Sequence, residues 1–261
     1  LDRRGRLRGG FRGTAKQDEI GDLSRALERL TNRLDSHQEF SESFASDVSH
    51  EFKNPLASIR NATEMLSEVD DPDERARFLD VVEREVARME RLLTSLRDVA
   101  LIDARLSEEE KLPLDLGELL RRIVEGFELR EGERVELRTR LPEREVFVHA
   151  SSERLVQVFE NLLDNSVSFS PLGGTIGIEL RREKDEAVVL ISDRGPGLPD
   201  TDRQRVFDRF FTYRPQEGRN SVHTGLGLAI VRAIVEGYGG SVSLRNRPEG
   251  GVVAEVRLPA Q

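Results

Sequence analysis

The stretch FASDVSHEFKNPLASIR, residues 44–60, places His50, Glu51 and Asn54 directly before Pro55. It ends a heptad seam in which the spacing alternates between four and three residues, at positions Leu23, Leu27, Leu30, Leu34, His37, Ser41, Phe44 and Val48. This spacing predicts one long amphipathic helix over about residues 18–69. Because proline lacks an amide hydrogen and clashes with the preceding turn, we expect the helix to be bent or loosened within a turn of His50.

A second helix is predicted after the sequence DDPD, residues 70–73, whose proline and acidic residues suit a first helical turn. Its apolar positions again step by threes and fours, at Leu79, Val82, Val86, Met89, Leu93, Leu96 and Ala100. Two such helices joined by a short turn form a hairpin that cannot bury both apolar stripes alone. We therefore expect dimerisation into a four-helix bundle, with a monomeric hairpin or part of a larger helical domain as the alternative.

Composition and charge narrow the function classes. The 261 residues include 40 basic and 49 acidic ones, giving a net charge of −9 with both signs mixed along the chain. This pattern argues against a nucleic-acid surface, which needs clustered positive charge. The absence of cysteine excludes disulfides, thiolate catalysis and zinc–thiolate sites. No apolar run reaches the length of about 18 residues that spans a bilayer. Since the chain begins at Leu1 without methionine, we expect a fragment whose membrane segment lies upstream.

From about residue 112 the pattern becomes mixed α and β. Helices are predicted over residues 116–129, 153–167 and 226–238. β-Branched content and alternation predict strands over residues 135–140, 146–149, 175–180, 187–192, 241–246 and 252–258. Strands interrupted by helices, without regular βαβ alternation, indicate an α+β sandwich.

The motif ENLLDNSVSFSP places Asn161 and Asn165 four residues apart, on one face of a predicted helix. Two neutral oxygen ligands side by side can help to hold Mg²⁺, which prefers oxygen and keeps substrate phosphates in its shell. Taken alone, however, such a pair is more often a solvated feature of a helix surface.

Two glycine-containing motifs follow. In ISDRGPGLPD, Gly195 and Gly197 permit close approach of a planar ligand, and Asp193 can accept a hydrogen bond from an exocyclic amine. Taken singly, this motif is equally compatible with a simple turn. In HTGLGLAIVRAIVEGYGG, Gly225 and Gly227 open an apolar helix, whose N-terminal amides suit phosphate oxygens.

In this order, the three motifs resemble the ATP-binding domain shared by sensor histidine kinases, Hsp90-type chaperones, gyrase B and MutL, known as the Bergerat fold. The resemblance covers residues 112–261, and RVFDRFF, residues 205–211, resembles the Phe-rich box of histidine kinases. It implies that ATP and Mg²⁺ are the cofactors, that Asn165 coordinates Mg²⁺ with help from Asn161, and that Asp193 binds the adenine amine.

The same resemblance assigns further binding roles. Gly195 and Gly197 would let the base lie close, and the phosphates would contact Thr224, Gly225 and Gly227. Phe210 and Phe211 would pack at the base of a mobile lid over residues 212–223. The chain departs from the family pattern in lacking two cations and one glycine, at Ser168, Thr212 and His223. The family resemblance leaves open which arginine substitutes, the candidates being Arg209, Arg214 and Arg219.

The opening stretch resembles the dimerisation and phosphoacceptor motif of histidine kinases, His-Glu-x-x-Asn-Pro-Leu. Neutral imidazole is a nucleophile near pH 7, so His50 is the candidate phosphoacceptor. Glu51 can accept a proton from its ring, and Asn54, one turn further on, can orient a water. The predicted domains are a linker and HAMP-like helix over residues 1–42, the phosphoacceptor domain over 43–106, a linker over 107–111 and the ATP-binding domain over 112–261.

These features predict the cytoplasmic core of a sensor histidine kinase, anchored in a bacterial inner membrane. The expected activity is autophosphorylation on His50 and transfer to an aspartate of a response-regulator receiver domain, with phosphatase activity toward that regulator. The expected partners are a second copy of the chain and the regulator, and no nucleic acid. A phosphatase-dominant enzyme and a pseudokinase dimer are the alternatives. Chaperone-like and topoisomerase-like ATPases are disfavoured because they lack a preceding histidine-bearing helix.

Overall fold

Two long helices open the described part of the chain. The computed structural model describes residues 19–106, 109–132, 134–202, 205–212 and 224–261, with side chains for all of these except residues 19–30, 32–43, 99–106 and 200. Helix α1 spans Glu19–Glu68 and α2 spans Pro72–Leu106. The predicted helical hairpin is therefore confirmed, whereas the dimeric bundle stays a prediction. The seam positions His37 and Ser41 lie outside the described side chains.

Helix α1 continues without interruption through Pro55, which lies inside it and is buried. Since proline has no amide hydrogen, Pro55 cannot donate to the carbonyl of Glu51 as another residue at its position in a helix would. This change in the helical hydrogen-bond pattern lies one residue from His50. A bend at this point stays a prediction.

The turn between the helices has its own stabilising contacts. Asp71 caps the start of α2, because its Oδ1 accepts from the amide of Asp73 at 3.2 Å. The guanidinium of Arg75 donates to the carbonyls of Leu66 and Val69 at 2.8 and 3.0 Å. These carbonyls lie at or just beyond the end of α1, and no amide of the described residues donates to them. Arg75 therefore satisfies them and complements the negative end of the helix dipole.

The chain divides into two compact units, residues 1–85 and 86–261. Among its described residues, the second unit contains the rest of α2, three further α-helices, two short 3-10 helices and seven strands. The helices are α3 Leu116–Glu131, α4 Ser152–Phe169 and α5 Gly227–Gly237. The strands are β1 Leu112–Asp115, β2 Val135–Arg140, β3 Phe147–Ala150, β4 Gly174–Glu183, β5 Glu186–Ser192, β6 Ser241–Asn246 and β7 Val252–Pro259.

Five strands form a mixed sheet in the order β2-β4-β5-β7-β6, in which only the β2–β4 pair is parallel. Along β4, alternate residues are buried, so Ile176, Ile178 and Leu180 face the helices. These side chains pack with apolar residues of α3, α4 and α5 into one core, in which Phe127 and Phe159 are among the largest buried side chains. The predicted α+β sandwich is confirmed.

The remaining two strands form a small antiparallel sheet, β1 with β3. Strand β1, LPLD, was not predicted, because it is short, contains a proline and pairs with a partner about 35 residues away. Strand β3 begins one residue later than expected, at Phe147. Within the described residues, no helix combines the length and the apolar character needed to cross a bilayer.

Candidate functional site

One cavity of about 950 Å³ lies in the second unit, beside α4, the segment after β5 and the start of α5. Nine residues that the sequence analysis selected all line it, namely Asn161, Asn165, Asp193, Gly195, Gly197, Phe211, Thr224, Gly225 and Gly227. These residues come from motifs up to about 65 positions apart, and the fold brings them to one place. Their individual roles stay predictions.

Asp193 directly follows β5 and is 7% exposed. Its Oδ1 accepts hydrogen bonds from the amides of Gly195 at 2.8 Å and Val252 at 3.1 Å. Burial raises the pKa of Asp193, and these two amide donors and Arg247 oppose that rise. No described residue donates to Oδ2, which leaves an acceptor for a ligand amine in the cavity.

The loop after Asp193 is held by residues that the sequence analysis missed. The guanidinium of Arg247 donates to the Asp193 carbonyl at 2.8 Å. Asn246 clamps the backbone of Leu198, since its Oδ1 accepts from the amide at 2.9 Å and its Nδ2 donates to the carbonyl at 2.7 Å. Strands β6 and β7 thus fix the loop through contacts about 50 residues away in sequence, which no local spacing reveals.

The backbone of Gly251 packs closely against the backbone of Asp193. Its φ is +89°, and a Cβ atom there would lie 2.2 Å from the carbonyl oxygen of Asp193. Both the backbone conformation and the contact therefore require glycine. The doublet GG at residues 250–251 was the only sequence signal for this position.

Replacing Gly251 by alanine is expected to lower the free energy of unfolding by about 3 kcal/mol or more, from left-handed strain plus the steric clash. Gly250→Ala is the matched control, because its φ is +93° but no atom lies within 4 Å of the added Cβ. The control is expected to lose only the strain energy, about 1–2 kcal/mol. Urea unfolding measures both variants, and equal losses would show that the contact with Asp193 does not matter.

The two glycines of the DRGPG segment are in close surroundings as well. A Cβ at Gly195 would lie 3.0 Å from both Asp193 Oδ1 and the carbonyl oxygen of Phe169. Gly197 has φ +83°, which disfavours any side chain. The carboxyl end of α4 therefore meets the Asp193 loop at this end of the cavity.

Asn161 and Asn165 lie on α4 and line the cavity toward its other end, near the start of α5. The Nδ2 of Asn161 donates to the Gln157 carbonyl at 2.7 Å, and a Cβ on Gly227 would lie 2.6 Å from its Oδ1. The side chain of Asn165 is half-buried, lines the cavity and makes no hydrogen bond with a described residue. Its amide oxygen is therefore available to a ligand.

The described residues contain no group of three or more His, Cys, Asp or Glu side chains that could hold a metal ion. The donor set at Asn161 and Asn165 fits Mg²⁺ instead, because that ion binds through one or two protein oxygens and takes its other ligands from phosphates and water.

The segments on both sides of the predicted lid meet at the cavity. The amide of Phe210 donates to the Gly225 carbonyl at 2.9 Å, and Gly225, with φ +70°, leaves only 2.6 Å between an added Cβ and the Phe210 carbonyl carbon. The guanidinium of Arg205 stacks 5.1 Å from the Phe211 ring. Of the lid itself, only Thr212 is described.

Among the family departures, Ser168 and Thr212 both line the cavity. The third, His223, lies outside the described residues. Of the arginines expected to substitute, Arg209 is exposed and does not line the cavity, while Arg214 and Arg219 lie outside the described residues.

The candidate phosphoacceptor lies on α1, in the first unit. His50 and Asn54 are both exposed and lie one turn apart, while Glu51 is half-buried. The imidazole is thus accessible, and the predicted proton acceptor is its neighbour in sequence. Ser49 forms a hydrogen bond to the Ala45 carbonyl at 2.7 Å, one turn back along the same helix.

The chain matches the models of two protein families. Residues 41–105 match the His Kinase A (phospho-acceptor) domain. Residues 150–261 match the histidine kinase-, DNA gyrase B- and HSP90-like ATPase family. The order of the two domains is the one that the hairpin and the sandwich have in the structure.

Similar proteins agree with these matches. The sensor protein ChvG of Agrobacterium fabrum (strain C58) is 36% identical over 241 residues, which are 89% of this chain and 40% of that protein. The sensor protein CreC of Escherichia coli (strain K12) is 35% identical over 243 residues, covering 92% of this chain and 50% of that protein. The chain therefore spans half or less of the length of these relatives.

Solved structures show the same likeness. The mycobacterial sensor histidine kinase MprB is 30% identical, with a TM-score of 0.51, over 58% of this chain and 98% of that chain. Histidine kinase ThkA, solved in complex with response regulator protein TrrA, is 24% identical with a TM-score of 0.71, over 94% of this chain and 68% of that chain. At that identity, the ThkA structure supports the fold alone.

A histidine-bearing helical hairpin followed by a Bergerat-type sandwich defines a class of signalling protein and separates it from the chaperones and topoisomerases that share only the sandwich. The chain belongs to the histidine kinase family of two-component systems. The HAMP-like assignment and the domain boundaries given above stay predictions.

Proposed function

We propose that this protein is a kinase that transfers the γ-phosphate of Mg-ATP to His50 and passes the phosphoryl group to an aspartate of a response regulator. The observation that carries the proposal is that all nine residues predicted to bind the nucleotide and its metal line the same cavity. The first unit of the same chain has an exposed histidine on a helix. The two features supply a nucleotide site and an acceptor.

Adenine recognition follows from the free oxygen of Asp193. The carboxylate is oriented by two backbone amides on Oδ1, so Oδ2 is preorganised to accept from the exocyclic amine of adenine. The absence of a side chain at Gly195, where a Cβ would already be in tight contact, keeps space for the ring. Guanine carries a carbonyl at the corresponding position, which would set its acceptor oxygen against the acceptor Oδ2 of Asp193. The site therefore favours adenine.

The phosphate chain then extends toward the start of α5. Asn165 and Asn161 would hold Mg²⁺, which supplies positive charge to the phosphate oxygens when bound. The backbone amides at Gly225 and Gly227 lie at the N-terminus of α5, where the helix dipole also favours anions.

Phosphorylation of His50 is a displacement at phosphorus. One imidazole nitrogen forms the P–N bond as the P–O bond to the β-phosphate breaks, and ADP leaves. Glu51 accepts the proton that the other ring nitrogen releases. In the next reaction the carboxylate of the regulator attacks the same phosphorus and the P–N bond breaks. Glu51 returns the proton to the ring, so that His50 leaves as the neutral imidazole.

The test is incubation with ATP labelled at the γ-phosphate or, separately, at the α-phosphate. We expect Mg²⁺-dependent incorporation of the γ-label only, in a form that is stable to base and labile to acid, as phosphohistidine is. Incorporation that resists acid, or that persists when EDTA removes the metal, would contradict the proposal.

Phosphatase activity toward the regulator is a second proposed activity. It is favoured by the exposed amide of Asn54, one turn from His50, and by neutral Ser168 and Thr212 in the cavity, which weaken phosphate binding in the forward reaction. Asn54→Ala is expected to slow regulator dephosphorylation about tenfold or more and to leave autophosphorylation within about twofold, since general base or water-orienting groups contribute at least that much. Equal effects on both rates would argue against a separate role for Asn54.

A second copy of the chain is the proposed structural partner. On α2, Leu79, Val86 and Leu93 are one heptad apart and 52, 44 and 57% exposed. Such a stripe along a helix is the pattern of a bundle interface.

We also propose that the chain is the cytoplasmic part of a sensor anchored in the inner membrane. The relatives ChvG and CreC, both named sensor proteins, support this proposal.

A further inference from the structure

Two guanidinium groups line the cavity, on Arg91 of α2 and on Arg134 before β2. They are the only cationic side chains among its described lining residues. Both residues are exposed, and neither side chain makes an ion pair or hydrogen bond with a described residue. Arg91 belongs to the same compact unit as the rest of the cavity. Each is therefore a charge without a structural role in this part of the chain.

The position of Arg91 along the cavity follows from two contacts. Gln157 on α4 donates to Asp98 on α2 at 2.8 Å, and Arg154, one turn earlier on α4, donates to Glu109 beyond the end of α2 at 2.9 Å. The two helices therefore run antiparallel. Arg91 lies about two turns before Asp98, and Asn165 lies about two turns after Gln157, so the two residues are at the same level.

Arg134 lies at the opposite end from the start of α5. Its carbonyl accepts from the Gly173 amide at 2.8 Å, in the segment that follows the carboxyl end of α4. That end of α4 meets Gly195 and hence Asp193, which the proposed function assigns to the base. Arg134 is thus on the base side of Asn165.

The side chain of Arg91 is open to an anionic ligand. Four acidic residues line the cavity with it, namely Glu90, Glu131, Asp164 and Asp193. Asp164 and Glu131 both pair with Arg130, at 2.7 and 3.5 Å. Asp193 accepts from two backbone amides, and Glu90 forms no ion pair with Arg91. The residues on the adjoining face of α2 that also line the cavity include Thr94 and Ser95, which are neutral hydrogen-bonding groups. A guanidinium in such surroundings matches the oxygens of a phosphate in charge and in geometry.

We propose that Arg91 is a phosphate-binding residue for the nucleotide, contributed to the site by α2. The inference rests on the proposed ATP site and adds a residue from outside the three sandwich motifs. It also gives the nucleotide a direct contact with α2, the second helix of the hairpin, so that nucleotide binding and the position of α2 against α4 are coupled.

The test compares the affinities of purified wild-type and Arg91→Gln proteins for ATP, ADP and adenosine by calorimetry. Loss of one charge-assisted contact is expected to weaken ATP and ADP binding about tenfold or more and to leave adenosine within about twofold. Arg97→Gln is the matched control, because Arg97 is exposed on the same helix and does not line the cavity. Adding Ser168→Lys to Arg91→Gln restores a cation on α4 and is expected to recover most of the lost ATP affinity.

Unchanged ATP affinity in Arg91→Gln would overturn the inference while leaving the proposed kinase intact. An equal loss for adenosine would overturn it as well, since a phosphate contact cannot act on a ligand without phosphate. Failure of the wild-type protein to bind ATP would instead overturn the proposed function. Arg91→Lys, which keeps the charge and loses the planar fork, is expected to fall between wild type and Arg91→Gln.

Discussion

Replacing His50 by glutamine is expected to abolish incorporation of the γ-phosphate. Glutamine has a similar length and polarity, but its amide nitrogen is not nucleophilic, so no P–N bond can form. The exposed position on α1 tolerates the change, because no buried contact is removed. ATP affinity is expected to be unchanged, since His50 is not among the residues that line the cavity.

The matched control is His149→Gln. His149 is exposed on β3, and its ring contacts the side-chain amide of Gln261 at 2.9 Å. It has no neighbouring pair of glutamate and asparagine, so its replacement is expected to leave labelling within about twofold of wild type. Label that survives in His50→Gln and disappears in His149→Gln would place the acceptor on the sandwich and contradict the assignment.

Replacing Asp193 by asparagine is expected to weaken ATP binding by about 100-fold and to stop autophosphorylation at ordinary ATP concentrations. Asparagine keeps the oxygen that accepts from the amides of Gly195 and Val252. It replaces Oδ2 by the NH₂ group of an amide. This hydrogen-bond donor would then face the amino group of adenine, which is also a donor. The cost combines a lost hydrogen bond with an unsatisfied polar pair, about 2–3 kcal/mol in total.

Stability separates this binding effect from unfolding. Burial raises the pKa of Asp193, so its charged form is disfavoured in the fold, and a neutral isostere is expected to change the melting temperature little. Asp193→Ala is expected to be less stable than Asp193→Asn, because it leaves two amides without an acceptor. Asp185→Asn, in the turn between β4 and β5, is the control. If Asp193→Asn bound ATP with wild-type affinity, Asp193 would not be the residue that recognises the adenine base.

Local patterns in the sequence predicted most of the fold. Alternation over β4 was sufficient because every second residue, such as Ile176 and Ile178, is buried. Heptad spacing was sufficient for α1 and α2, whose apolar stripes follow the helical period. Strand β1 was missed because its stability comes from pairing with β3 and not from its own four residues.

The same contrast applies to the site. Asn161 and Asn165 could be selected because a spacing of four places them on one helix face. Asn246, Arg247 and Gly251 could not, because they reach the Asp193 loop only through the pairing of β5 with β7 and the β6–β7 hairpin. Contacts set by sheet register have no signature within either segment.

Site-resolved mapping of the phosphoryl group tests whether His50 is the phosphoacceptor. The protein is labelled with Mg-ATP, digested at neutral to basic pH, and the phosphorylated peptide is sequenced by mass spectrometry under conditions that preserve phosphohistidine. We expect one major site, His50, within the peptide that contains HEFKNP. Stoichiometric phosphate on any other residue, with His50 unmodified, would contradict it.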